Sequence, residues 1–166
     1  MDLDIGTILL GILCAAICIV PFVLMGRSRR QREQQKLNWL ENIAKKHNSR
    51  ITHHEFCGNL GIALDDKRSL AFFIKEIDGE IFEDYIDLNQ MKECRVLRTN
   101  ISVPKNKENY PLIERLDLCF VPLDSKAKEI KWEFFSREHN LQFYGELQVI
   151  EKWDKLLNEQ IGFKVW

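Results

Sequence analysis

The apolar run from Ile5 to Met25 constrains this chain most, because it holds no charged side chain and reads ILLGILCAAICIVPFVLM from Ile8 onward. A helix that crosses the hydrocarbon core of a bilayer needs about 20 apolar residues at roughly 1.5 Å each. The run is therefore expected to be a transmembrane helix, with the bilayer as its partner over residues 5–25. A cleaved secretory signal has basic residues before its apolar core, whereas here Asp2 and Asp4 precede the run and the arginines follow it. Lipidation is disfavoured too, since Cys14 follows Ile12 and Leu13, and Cys18 follows Ile17, where small residues are required. Pro21 removes one helical hydrogen bond, a loss that lipid-embedded helices tolerate better than soluble ones.

Charge on the flanks gives the expected orientation. Arg27, Arg29, Arg30 and Arg32 follow the run, and no Lys or Arg precedes it. Cationic residues beside a span stay on the cytoplasmic side, so the expectation is a single-pass protein of the inner (plasma) membrane, with its N-terminus outside and its C-terminal bulk in the cytoplasm. Each arginine near anionic headgroups would add on the order of 1 kcal/mol. Gly6, Gly11 and the Ala15-Ala16 pair would permit close approach of two such helices, and with it a homo-oligomer. The expected divisions are a short outer end at 1–4, the span at 5–25, a basic juxtamembrane segment with an amphipathic helix at 26–49, and one domain at 50–166.

Composition narrows the partners. With 24 basic against 25 acidic residues, the chain has no electrostatic footprint for nucleic acid. Cys14, Cys18, Cys57, Cys94 and Cys119 are scattered without a Cys-x-x-Cys pair, which fits reduced thiols and neither a disulfide frame nor a zinc site.

Beyond the arginines, Leu37, Leu40, Ile43 and Ala44 form one apolar stripe at helical spacing on a polar segment over 31–47. The stripe can dock on the folded domain, or lie in the membrane interface with Trp39 at headgroup depth. From Arg50 to Ser136 the period becomes two. Turns fall at Gly58-Asn59, Asp65-Asp66-Lys67-Arg68 and Asp78-Gly79, the last a strong hairpin signal because a primed turn needs positive φ. Phe82, Ile86 and Leu88 are assigned to a fourth strand and Leu97, Ile101 and Val103 to one face of a fifth. Leu116, Leu118 and Phe120 share a face of the sixth, and Ile130, Trp132 and Phe134 a face of the seventh. The stretch 104–111, with two prolines and no apolar period, reads as an exposed loop. Finally Leu147, Ile150, Trp153, Leu157 and Ile161 recur at three and four, giving an amphipathic helix closed by Gly162.

The expected fold class is therefore α+β: a transmembrane helix, a linker helix, and a curled antiparallel sheet or barrel of seven strands capped by a C-terminal helix. Seven antiparallel strands followed by one helix with a central tryptophan, over roughly Arg50 to Ile161, resembles the pleckstrin-homology-like fold in its bacterial membrane-associated form. The resemblance implies a binding scaffold for lipid headgroups or proteins, without intrinsic catalysis. It departs from the phosphoinositide-binding members at the first loop, Cys57-Gly58-Asn59, which carries none of the cations that phosphate recognition uses.

Candidate chemistry is sparse. His53, His54, Glu55 and Cys57 are metal-ligand types, but alternate residues of a strand face opposite ways and no second cluster completes a site. The acidic pairs Asp65-Asp66 and Glu83-Asp84 lie in or near turns, where aspartate is favoured for backbone reasons. Cys119 and His139 could form a nucleophile and base, yet Cys119 sits between Leu118 and Phe120 in an apolar strand. No phosphate-binding loop or Gly-x-Ser-x-Gly occurs. No catalytic, cofactor or metal residue is assigned. The expected function is a non-enzymatic interaction domain for a membrane-associated protein, docking on a sheet edge or the stretch 104–111. The alternatives are anionic-lipid sensing, and a metal-dependent or hydrolytic enzyme.

Overall fold

A computed structural model describes the backbone of residues 5–105, 108–139, 143 and 145–162. The chain is α+β and divides into two compact units, Met1–Asn38 and Trp39–Trp166. The first unit is helical from Ile5, in a helix, α1, that runs unbroken to Lys46. Neither Pro21 nor the basic flank interrupts it, so the separate span and linker helix expected from the sequence are one element. Arginine, glutamine, glutamate and lysine are good helix formers, and between 27 and 46 no glycine or proline supplies a stop. Among the described residues no helix is long and apolar enough to cross a membrane. That finding overturns the single-pass membrane assignment, and with it the inner-membrane location and the inward orientation. The helix's fully described stretch, 30–46, is dense in charge, and Arg30 and Arg32 are exposed on it. The side chains of Arg27 and Arg29 lie outside the described residues.

In the second unit, β1 (His53–Cys57), β2 (Leu60–Asp65), β3 (Leu70–Ile77) and β4 (Glu80–Asp87) form a four-stranded antiparallel sheet in chain order. β5 (Met91–Lys105), β6 (Glu108–Pro122) and β7 (Ile130–Ser136) form a second sheet of three. A single curled seven-strand sheet or barrel is thus corrected to two separate sheets, neither of them closed. The cause lies between β4 and β5: Asp87 caps a 3₁₀ turn, Leu88–Gln90, by accepting the Asn89 N–H at 2.9 Å, and the chain leaves the first sheet there. Leu88, expected in the fourth strand, is the buried residue of that turn. The described residues of the stretch 104–111 are strand and not loop, since Ser102 pairs with Pro111 and Lys105 with Glu108.

The tight turns follow their sequence. Asp78 and Gly79 both take positive φ, +52° and +84°, between the paired Ile77 and Glu80, as a primed turn requires. Gly61 stays bare for a different reason: a Cβ there would meet the Phe56 ring at 2.9 Å.

Each face of the first sheet has its own cover. The outer residues Ala63, Phe72 and Ile74 pack under Leu40, Ile43 and Ala44 of α1, with Trp39 at the margin. The sequence stripe is therefore spent on the sheet. The inner face, Leu60, Ile62, Leu64, Phe73 and Ile86, meets Leu116, Leu118, Phe120, Trp132 and Phe134 of the second sheet. In β5 it is Cys94 and Val96 that reach this core and not Leu97, because a register shift between Thr99 and Asn100 breaks a uniform alternation along the strand. The C-terminal helix α2 (Glu146–Gly162) adds Ile150, Trp153 and Leu157 as buried side chains, with Leu147 and Ile161 partly buried against them.

Candidate functional site

α2 is fixed to one strand of each sheet by side-chain hydrogen bonds. Trp153 donates its indole N–H to Glu55 on β1 at 2.9 Å, and Lys152 places its ammonium on the same carboxylate oxygen at 2.9 Å. Asn158 uses its amide as a strand would: its oxygen accepts from the Cys94 N–H at 2.9 Å and its nitrogen donates to the Cys94 carbonyl at 2.8 Å. β1 and β5 are outer strands of their sheets, so the helix occupies backbone or side-chain positions at both.

Several of the residues singled out in the sequence are engaged elsewhere in the fold. Glu55 is committed to α2, Cys57 is buried in the core, His53 lies beside the Thr52 hydroxyl at 3.2 Å, and His54 leans on the Phe56 ring. Among the described residues no group of His, Cys, Asp and Glu could hold a metal ion. Cys119 donates its thiol to Glu129 at 3.1 Å, and Glu129 also holds Arg95 at 2.6 Å. Burial first, and then the bond to Glu129, push the Cys119 thiol up, which works against a nucleophilic thiolate. Cys94 is likewise pushed up, chiefly by burial and also by the neighbouring Asp154 charge.

Three carboxylates of the acidic pairs, Asp65, Glu83 and Asp84, hold contacts within the fold, and Asp66 is exposed. Asp65 accepts from the Ser49 hydroxyl, and from the amides of Arg50 (2.9 Å), Lys67 (3.1 Å) and Arg68 (3.2 Å). Burial alone would push its carboxyl up, but these four donors outweigh it and leave Asp65 below the ordinary carboxylate range. Asp84 accepts the Trp132 indole N–H at 2.9 Å and so ties β4 to β7, while Glu83 pairs with Lys46 at the end of α1 at 2.8 Å.

Sequence reasoning missed a second tie between the sheets. Lys75 lies on the core-facing parity of β3, only 2% exposed, with its ammonium 2.7 Å from Glu133 of β7. Glu133 also meets Arg115 at 3.3 Å, and Arg115 chelates Asp117 at 2.7 and 2.9 Å. A lysine among Phe73, Ile74 and Glu76 gives no signal in the sequence that it is buried, since its partner is 58 residues away.

The surface left over is β4. It pairs only with β3 among the described residues, which leaves its other side a strand edge. Ile81, Phe82 and Tyr85 are 38%, 53% and 45% exposed on it. Tyr85 is braced by the His47 ring at a centroid separation of 3.7 Å, and its amide is taken by Asp84 at 2.8 Å. An exposed strand of eight residues that carries three large apolar side chains is uncommon, because natural edges are normally blunted. No protein-family model, curated protein or solved structure matches this chain, so the function is argued from these residues alone.

Proposed function

We propose that the Trp39–Trp166 unit is a non-enzymatic protein-interaction domain that takes an extended partner segment along the free edge of β4. The observation that carries this reading is the combination of an unpaired strand edge with exposed Ile81, Phe82 and Tyr85. Strand addition uses such an edge directly: backbone hydrogen bonds supply affinity, and alternate side chains supply specificity. The strand is also pre-organised, since Asp84 and Ile86 anchor it to the core from behind, so little ordering cost falls on the domain when it binds. Cys119, Asp65, Glu83 and Asp84, four of the groups with candidate chemistry, are each engaged in contacts within the fold, which supports the same reading.

The test is to pan a displayed library of extended peptides against the full chain, and to repeat it against the Phe82→Ser/Tyr85→Ser variant. Peptides enriched on the wild type and lost on the variant are the expected result. Failure to enrich any peptide above an unrelated control protein, or enrichment indifferent to those two substitutions, would defeat the reading.

A further inference from the structure

Resting on that reading, we infer that the segment docking on β4 is cationic, with lysine or arginine alternating with apolar residues. The twelve residues from Glu76 to Asp87 contain six carboxylates, Glu76, Asp78, Glu80, Glu83, Asp84 and Asp87, and no lysine or arginine. Over the whole chain acids and bases nearly balance, so this is a local property of the β3–β4 hairpin.

The charges are ordered along the strand. On one face Ile81, Glu83, Tyr85 and Asp87 alternate apolar with acidic; on the other Glu80, Phe82 and Asp84 do the same. A second copy of this chain is a poor occupant. Antiparallel pairing of β4 with itself keeps each face together, so the two central registers set Glu83 against Glu83 or Asp84 against Asp84, placing like charges in direct opposition. A strand of opposite charge has no such conflict. Because residues opposite each other in an antiparallel pair share a face, the complement of Asp87 back to Glu80 reads cation, any, apolar, any, cation, apolar, apolar, cation. Asp84 is the carboxylate to leave out, since its two oxygens are taken by Trp132 and the Tyr85 amide; Asp87 also accepts from Asn89 and Gln90, and Glu83 from Lys46, so a docked cation there adds to contacts already made.

The test uses three labelled octapeptides on the full chain: Lys-Thr-Val-Thr-Lys-Val-Val-Lys, the same with Gln for Lys, and the same with Glu for Lys. Binding is read by fluorescence anisotropy, and placement by protection of β4 amides in hydrogen exchange. The lysine peptide is expected to bind with β4 protection and to weaken as ionic strength rises. Against the Glu80→Lys/Glu83→Lys variant it should lose affinity about tenfold, the two exposed pairs at those positions being turned to repulsion, while the glutamate peptide gains. Because the variant's fold is in question, its β1–β3 amide protection is read in the same experiment, and the salt dependence on the wild type stands without it. Equal binding of the glutamine and lysine peptides, both protecting β4, would overturn the charge inference and leave edge docking intact. Protection by none of the three would remove both. Concentration-dependent β4 protection without any peptide would assign the edge to a second copy instead.

Discussion

Removing the carboxylate of Glu133 while leaving Lys75 in place should be among the most damaging single substitutions in the second unit. Lys75 is 2% exposed and Glu133 21%, so the ammonium has almost no water to fall back on when its partner goes. Breaking a buried pair from one side costs about 3–5 kcal/mol, because an uncompensated charge is left behind. Partial exposure of Glu133 and the retained Arg115–Asp117 pair place Glu133→Gln at the lower end, about 3 kcal/mol. At roughly 4 °C per kcal/mol for a domain of this size, the midpoint should fall by about 12 °C. The pair as a whole is a different matter: Lys75→Met/Glu133→Leu removes both charges, returns apolar volume to the core, and should melt within about 1 kcal/mol of the wild type. Thermal unfolding of the full chain, followed by the fluorescence of Trp132 and Trp153 at neutral pH, reads both. A Glu133→Gln midpoint within a few degrees of wild type would refute the claim that Lys75 depends on this carboxylate. A double variant as unstable as the single would show that packing, and not charge, sets the cost.

Three other substitutions test the polar and steric anchors. Asp65→Asn should cost about 1.5–3 kcal/mol at neutral pH, since the charged acceptor of four hydrogen bonds is neutralised. The folded-state pKa of Asp65 is depressed, so its contribution is fully present above the unfolded value of about 3.9 and is lost as pH falls through the folded value; denaturant midpoints of wild type and variant should converge only in acid. Asp154 runs the other way, raised by burial against the bonds it accepts from Asn158 and Cys94, so the charged form is penalised and its contribution to stability declines as pH rises through the folded value. Asp154→Asn, which can still accept from Asn158, is expected to match or exceed wild-type stability at neutral pH and to lose that advantage in acid, as the same denaturant series would report. Gly61→Ala drives a methyl to 2.9 Å from the Phe56 ring and 3.0 Å from Ile74, and should cost about 1–3 kcal/mol by calorimetry.

Where the sequence was a good guide, the information was local. Strand alternation in Leu116, Leu118 and Phe120, the Asp78-Gly79 turn and the stripe of α2 are each decided by neighbours within a few residues, and the structure places Leu118, Phe120, Ile150 and Trp153 in one core. The stripe of Leu40, Ile43 and Ala44 is similarly legible, though its destination under Ala63 and Phe72 is not. What could not be read is pairing across distance. Whether β5 continues the first sheet depends on a three-residue cap at Asp87, and an apolar period cannot report it. The prolines of 104–111 read as breakers, yet Pro104 pairs with Asn109 and Pro111 with Ser102 beyond the part of β6 that β7 covers, and strands at a sheet edge tolerate proline. The early apolar run failed as a guide to topology for a related reason: a run length is a local property, whereas the helix it belongs to continues through a polar, charge-rich stretch to Lys46. The acidic run of the hairpin 76–87, on which the proposed docking rests, is legible in the sequence as a local imbalance that the near-neutral total hides.

The anchors and the edge are separable along one strand, and this gives the interaction reading its force. On β4 the groups that hold the fold are Asp84 through Trp132 and Ile86 in the core, both on the inward parity, and Asp87 at the strand's end through its cap on the 3₁₀ turn. Ile81 and Tyr85 lie on the opposite parity, and Phe82 lies on the inward parity but beyond the core, at more than half exposure. Glu83 holds only an exposed ion pair with Lys46, worth at most about 1 kcal/mol. A strand whose outward side chains existed only for stability would not leave its largest apolar groups in water, since burying one of them contributes about 1.5–3 kcal/mol. The exposed groups are thus the ones fold stability uses least. Their substitution should disturb docking before it disturbs folding, whereas at Asp84 and Trp132 the order should reverse.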